Sequence, residues 1–270
     1  MVTLGVGKNM TRAIRFWVVT ASVAQPAEGG GYSITPFGRA LLDQGGFDPF
    51  LEDIRTLWLI HWKFSTNYEE PLFAWNYMLN HWSHPEISRT EAVRAFRKEA
   101  ARMGRELSQI TLEQHFDTFL HTYVPTRGRK GDIQEDNLDC PLVELELIER
   151  IGEKPVEGSD KREPIYAFRR EAKPEITPGL FIYCLNDFWG RRHAREGTLS
   201  FRSISVGEGS PGQIFKLSES DIRERLGKLV KDSEGAFKYH ESATQQYVER
   251  LAPADFDFLP MMYQTEEIYA

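Results

Sequence analysis

The sequence predicts a mainly α protein with short β hairpins, an α+β chain built from tandem winged-helix-like units. Three observations predict this. A glycine turn enters a basic amphipathic helix, and a Pro/Gly loop and a short alternating strand follow it. Residues 88–170 repeat a helix, helix, polar loop and strand order without sequence identity to the first part. Helix-start signals of the Ser, Thr and Asp type recur along the chain. The pattern divides the chain into three: a truncated winged-helix-like unit with aromatic-rich helices (1–84), a second helical winged-helix-like unit (85–175) and a C-terminal α+β unit (176–270).

In the first unit, Gly5 and Gly7 mark a tight turn. Residues 8–24 hold no Gly or Pro, and Met10, Ile14, Trp17 and Val18 recur at helical spacing. Lys8, Thr11, Arg12 and Arg15 fall on the more polar faces. Residues 25–31 read as a loop and 32–35 as a strand. Pro36 then opens a helix with Thr35 as its cap. The chain begins inside the turn, so the first half of this unit and a segment before it are expected to be missing. Asp48 is placed to cap a helix starting at Pro49, with Leu51, Ile54, Leu57, Trp58 and His61 as its apolar stripe. Trp75, Tyr77, Met78 and Trp82 continue an aromatic helical region.

In the second unit, Ser88, Arg89, Thr90 and Glu91 form a capping box before a helix to about Gly104. Residues 108–123 form the next helix, with Leu112, Phe116, Phe119 and Leu120 inward. A short apolar helix is expected over 142–148, a wing-tip loop over 152–163 and a strand over 165–169. In the third unit, 180–189 is apolar and aromatic. Ser210, Pro211 and Gly212 make a turn before a strand over 214–217. Ser218 caps a helix over 219–230, and a loosely packed tail is expected from Pro253.

Composition is that of a water-soluble globular chain: 41% hydrophobic and 27% charged residues. No apolar run approaches the roughly 20 residues of a membrane span. No basic segment followed by an apolar stretch and a cleavage site is visible at the start of the chain, so no signal peptide is expected there, and with the scarcity of cysteine a cytoplasmic setting is expected. Only Cys140 and Cys184 are present, far apart, which argues against a zinc site or a disulfide framework. The net charge of -7 hides a polarity. The first acidic residue is Glu28, and Lys8, Arg12 and Arg15 precede it. Further basic clusters are Arg127, Arg129 and Lys130, and then Arg191, Arg192, His193, Arg195 and Arg202; acids gather over 132–149.

Gly5, Val6, Gly7 and Lys8 do not make a nucleotide-binding loop. That motif needs GxxxxGK followed by Ser or Thr, and here Asn9 and Met10 follow. A turn of backbone N–H groups at a helix start can instead hold a DNA phosphate. Lys8 and Arg12 add ionic contacts and Asn9 can present its amide to a base edge. Thr11, Arg15 and, from the next helix, Arg39 complete the candidate DNA-binding set. Asp160, Glu171 and Lys173 make the only D…ExK arrangement of the restriction-nuclease kind, a short pattern that also arises by chance. The carboxylates Asp48, Glu52 and Asp53 serve equally well as helix-start residues. His81, His84, His115 and His121 show no metal-ligand spacing, so no metal ligands are assigned.

Four blocks carry a family resemblance: LGVGKNMTRAIRFW, YSITPFGRALL, DPFLEDIRTLWLIHW and SPGQIFKL. Together, and in this order, they resemble a bacterial domain family of formerly unknown function found beside DNA phosphorothioation genes. The resemblance runs over nearly the whole chain. It implies a DNA-binding component of a phosphorothioation and phage-defence system, akin to the SspB-like DNA nickases. Such a component would work with a cysteine desulfurase, an ATPase and a sulfur-activating enzyme, and would use Mg as cofactor if it nicks DNA. No nickase motif carries over to residues of this chain. A non-catalytic DNA-binding adaptor that recruits the sulfur-transfer machinery and a winged-helix transcription regulator remain open as alternatives.

Overall fold

The computed structural model describes residues 5–125 and 140–264. The basic cluster Arg127, Arg129 and Lys130, and the acids between 132 and 139, lie outside the described residues.

Helix α1 (Lys8–Thr20) starts after Gly7 and stops four residues short of the expected end, where Ser22 takes a φ of 60°. The chain then forms a two-stranded hairpin, β1 (Ala24–Pro26) with β2 (Tyr32–Ile34). Helix α2 (Pro36–Leu42) follows, capped by Thr35 as expected. The Thr35 hydroxyl accepts from the Gly38 N–H and donates to the Ser22 carbonyl at 2.6 Å, tying α2 to the end of α1. Gly38 is required at this junction, because a Cβ there would meet the Val23 carbonyl oxygen at 2.3 Å.

Helix α3 (Ile54–Ser65) begins later than the sequence suggests, and Asp53 rather than Asp48 caps it. The Asp48 carboxylate accepts the N–H groups of Glu52 and Asp53, closing a turn in which Leu51 has a φ of 57°. A left-handed residue cannot belong to a right-handed helix, so the helix waits for the next cap. Helix α4 (Phe73–Asn76) runs into a wider π-type turn over Tyr77–His81.

Strand β3 (Ile87–Ser88) leads into α5 (Arg89–Arg102), whose cap Ser88 accepts the Glu91 N–H and donates its hydroxyl to the Glu91 carboxylate, and α6 (Gln109–Tyr123) follows. The expected helix over 142–148 is instead a 3-10 turn, Pro141–Leu145, ended by Glu146 at a φ of 46°. Half of the expected loop over 152–163 is paired: β4 (Ile148–Pro155) and β5 (Arg162–Phe168) form a hairpin, and only the segment between them turns. Polar residues suit these arms because their outer faces meet solvent. The sheet order is β3-β5-β4, all antiparallel.

The third segment contains α7 (Pro178–Arg192), β6 (Thr198–Ser200), α8 (Phe201–Val206), α9 (Pro211–Ile214), α10 (Glu219–Asp232), β7 (Phe237–Glu241), β8 (Gln246–Arg250) and α11 (Leu259–Tyr263). The expected strand over 214–217 does not form. Its run of Ile214, Phe215, Lys216 and Leu217 closes a short helix and then turns at Lys216, φ 53°; a four-residue run with three apolar members does not by itself separate a strand from a buried helical end. The described part of the tail is packed from Phe258 on: Phe258, Leu259 and Met262 are buried, while 253–257 are exposed. Helix α11 lies so close to α7 that a Cβ on Gly179 would stand 2.6 Å from the Met261 carbonyl oxygen.

One apolar core draws on all three segments, including Trp58 and Trp62 of α3, Phe116 and Phe119 of α6, and Phe188 and Trp189 of α7. The mixed α/β architecture is as the sequence predicts. Helix α1 with its hairpin, and α5–α6 with the β3-β5-β4 sheet, supply the elements of the winged-helix-like reading without establishing that fold. No helix among the described residues is long and apolar enough to cross a membrane.

Candidate nucleic-acid interface

Helix α1 is anchored at one end only. Trp17 packs on Phe64 and Trp75 with ring centroids 5.0 and 5.8 Å away, and Thr20 is buried. Toward the N-terminus the helix stands in solvent. Met10, Ile14 and Phe16, the first two expected on an inward stripe, are exposed. Lys8, Asn9, Arg12 and Arg15 are exposed beside them. Thr11 differs from its expected partners: it is buried and its hydroxyl donates back to the Gly7 carbonyl at 3.1 Å, so it faces its own helix turn. Among the described residues, no side chain caps α1 and no acid lies in its first turn, so its leading N–H groups have no side-chain partner there.

A cleft of about 960 Å³ opens where α1 and the β1–β2 hairpin face α6 and the segment before α4. Arg12, Arg15 and Phe16 line it from α1, and Tyr32 lines it from the hairpin. Arg105, His115, Glu69 and Glu70 line it as well. The Arg15 guanidinium sits over the Tyr32 ring, 5.7 Å from its centroid. His115 leans on Phe73, ring centroids 5.3 Å apart, and burial pulls its pKa below the usual imidazole value. The positive set on these walls is therefore the three arginines.

The two basic regions differ in pairing. In the C-terminal cluster, Arg191 binds Asp187, Arg192 binds Glu208 and His193 binds Glu196, while among the described residues Arg195 and Arg202 pair with no acid. Among the described residues, no acid pairs with Lys8, Arg12, Arg15 or Arg105. Unpaired guanidinium groups keep their hydrogen-bond donors available for an anion. Sequence reasoning did not find Arg105 and His115. Arg105 follows Gly104 at the end of α5, far from α1 in sequence, and no local pattern links the two. Lys8 and Asn9 stand at the exposed start of α1 and Arg39 on α2, none of them lining the cleft.

Asp160, Glu171 and Lys173 do not come together. Asp160 lies in the β4–β5 turn and Glu171 beyond the far end of β5. A seven-residue strand separates them, roughly 20 Å at about 3.3 Å per residue. Lys173 is fully buried, donating to the carbonyl oxygens of Arg169 at 2.7 Å, Glu171 at 3.2 Å and Lys216 at 3.4 Å. Its ammonium braces three turns of backbone and does not reach solvent. Among the described residues, no group of three or more His, Cys, Asp or Glu is placed to hold a metal ion.

A family model, "Protein of unknown function (DUF4007)", matches residues 1–263. The chain belongs to the DUF4007 family. Two solved structures share the fold of this DUF4007 chain. A magnesium ion-bound SspB crystal structure is 25% identical, with a TM-score of 0.77, covering 92% of this chain and 73% of that one. A second SspB crystal structure is 24% identical, with a TM-score of 0.76 and the same coverage. Comparison with curated proteins gives no match.

Proposed function

We propose that this DUF4007 chain is a DNA-binding component of a bacterial DNA phosphorothioation and phage-defence system, acting in the cytoplasm in the manner of SspB. The observation that carries the proposal is the cationic face of α1, where Lys8, Arg12 and Arg15 have no acid partner among the described residues and stand beside an uncapped helix start, while Arg191 and Arg192 of the C-terminal cluster are paired. The family membership and the SspB-like fold support the same reading. In it, Lys8 and the uncapped start of α1 hold phosphate, Asn9 reaches a base edge, and the β1–β2 hairpin serves as a wing beside the helix. Arg39 adds a phosphate contact from α2. A cysteine desulfurase, an ATPase and a sulfur-activating enzyme are the proposed protein partners.

Nicking belongs to the proposal for the family. Asp160 and Glu171 stand too far apart to share one magnesium ion, so no step is routed through them. That separation favours, as a second reading, an adaptor that binds DNA and recruits the sulfur-transfer enzymes. The test is titration of a labelled duplex at several salt concentrations, with supercoiled plasmid and magnesium in parallel. Salt-dependent duplex binding supports the proposal, and relaxation of the plasmid distinguishes nickase from adaptor. Absence of any DNA binding overturns both.

A further inference from the structure

We infer that the cleft between α1 and α6 takes an unpaired, single-stranded stretch of nucleic acid, its bases stacked on Phe16 and Tyr32. This rests on the DNA-binding reading and specifies the state of the strand that enters. Size is the first argument. A space of about 960 Å³ lies at the upper end of small-ligand pockets, about 300–1,000 Å³, and has room for a few nucleotides but not for a double helix. The second is exposed aromatic surface. Phe16 is 52% and Tyr32 49% exposed although both border the cleft. Large aromatic faces held in water beside cations are stacking platforms for bases, whose own π-faces a duplex hides. The third is charge placement. Arg12, Arg15 and Arg105 all line the cleft and have no acid partner among the described residues, so a backbone threading it meets guanidinium groups from α1 and from the segment after α5. Arg15 already lies over the Tyr32 ring, which orders both groups before a ligand arrives.

The acids fit the same picture. Glu69 and Glu70 are exposed at one edge of the cleft. They repel phosphate from that edge and can accept from the exocyclic amino groups of bases, which fixes the strand with its phosphates toward the arginines. Lys8, Asn9 and Arg39 lie outside the cleft and remain available to flanking duplex, so one protein can hold a double-stranded arm and an opened strand together.

The experiment compares fluorescence anisotropy of a labelled twelve-residue oligothymidylate with that of a labelled duplex. The proteins are the full chain and its Phe16→Ala, Tyr32→Ala, Tyr32→Phe and Arg105→Ala variants. The expected result is a loss of roughly 10-fold in oligothymidylate affinity for each ring removed, with a smaller loss for duplex, and full retention in Tyr32→Phe. Arg105→Ala lowers the salt slope for the single strand by about 0.7. Duplex binding with no oligothymidylate binding, or ring removal without effect on it, overturns this inference and leaves the DNA-binding reading standing. Failure to bind either probe overturns both. Because Phe16 and Tyr32 are solvent-exposed, their removal leaves the core untouched.

Discussion

The Nδ1 atom of His61 on α3 lies 2.7 Å from the phenol oxygen of Tyr123 at the end of α6, 62 residues away in sequence. His61 Nε2 is 3.0 Å from the Ile214 carbonyl, which can only accept, so Nε2 carries the proton. Nδ1 then accepts from the Tyr123 hydroxyl, whose oxygen in turn accepts from the indole N–H of Trp75 at 2.8 Å. A single neutral tautomer satisfies the whole chain of bonds and joins residues of α3, α4, α6 and the end of α9.

This arrangement predicts acid sensitivity. Burial lowers the His61 pKa from 6.5 to about 4. Between those values the unfolded chain binds a proton that the folded chain refuses. The His61 contribution is therefore full above pH 6.5 and is lost as pH falls to about 4. Its size is about 3 kcal/mol, at about 1.4 kcal/mol per pKa unit. Urea unfolding at pH 7 and pH 4.5 measures it, and His61→Asn should flatten the difference. An identical pH slope in that variant would show that other groups govern it.

Trp58 is completely buried on α3 among His61 and Phe215, and its indole N–H has no hydrogen-bond partner among the described residues. Trp58→Ala should cost roughly 3–5 kcal/mol through lost burial and a residual cavity. Trp58→Phe should cost much less, because it keeps a ring and removes an unsatisfied donor. Equal losses for the two variants in chemical denaturation would refute the packing account.

Replacing Lys8, Arg12 and Arg15 together by Ala should weaken duplex binding. The slope of log affinity against log salt should fall by about 0.9 for each phosphate that the variant no longer neutralises. Thr11→Ala should leave that slope unchanged, since its hydroxyl serves Gly7. A triple variant with the wild-type slope would mean that α1 faces away from DNA.

The chain alone should bind supercoiled plasmid yet convert it poorly to open circles with magnesium. Asp160→Ala and Glu171→Ala should change neither plasmid conversion nor stability. Lys173→Met should instead lower stability, by about 1–3 kcal/mol for each buried acceptor left bare. Brisk metal-dependent nicking that disappears in Asp160→Ala would make those residues an active site after all.

The sequence by itself determined the features that one turn of backbone can hold. Thr35, Ser88, Ser108 and Ser218 each cap the helix that their local pattern announces. The periodic apolar residues of α6 are all buried as read, and the basic, acid-free start of α1 is visible in the residues around Lys8, Arg12 and Arg15 alone. The four blocks of family resemblance needed no coordinates either. What misled was also local: Asp48 carries a cap signal, but Leu51 in a left-handed conformation delays the helix.

Only the tertiary structure decided which of these features meet. Arg105 and His115 join Arg12 and Arg15 in lining one cleft because the fold brings α1 and the α5–α6 region around a common space, a relationship with no periodicity to betray it. Lys173 looks like a catalytic lysine in a short motif and is a buried brace, because its ammonium finds three carbonyls only once the segment carrying Lys216 folds against it. Helix caps and stripes are written by neighbours a few residues apart. Clefts, buried cations and the choice between exposed and buried faces arise from segments far apart in the chain, where burial and close packing, rather than local propensity, set the outcome.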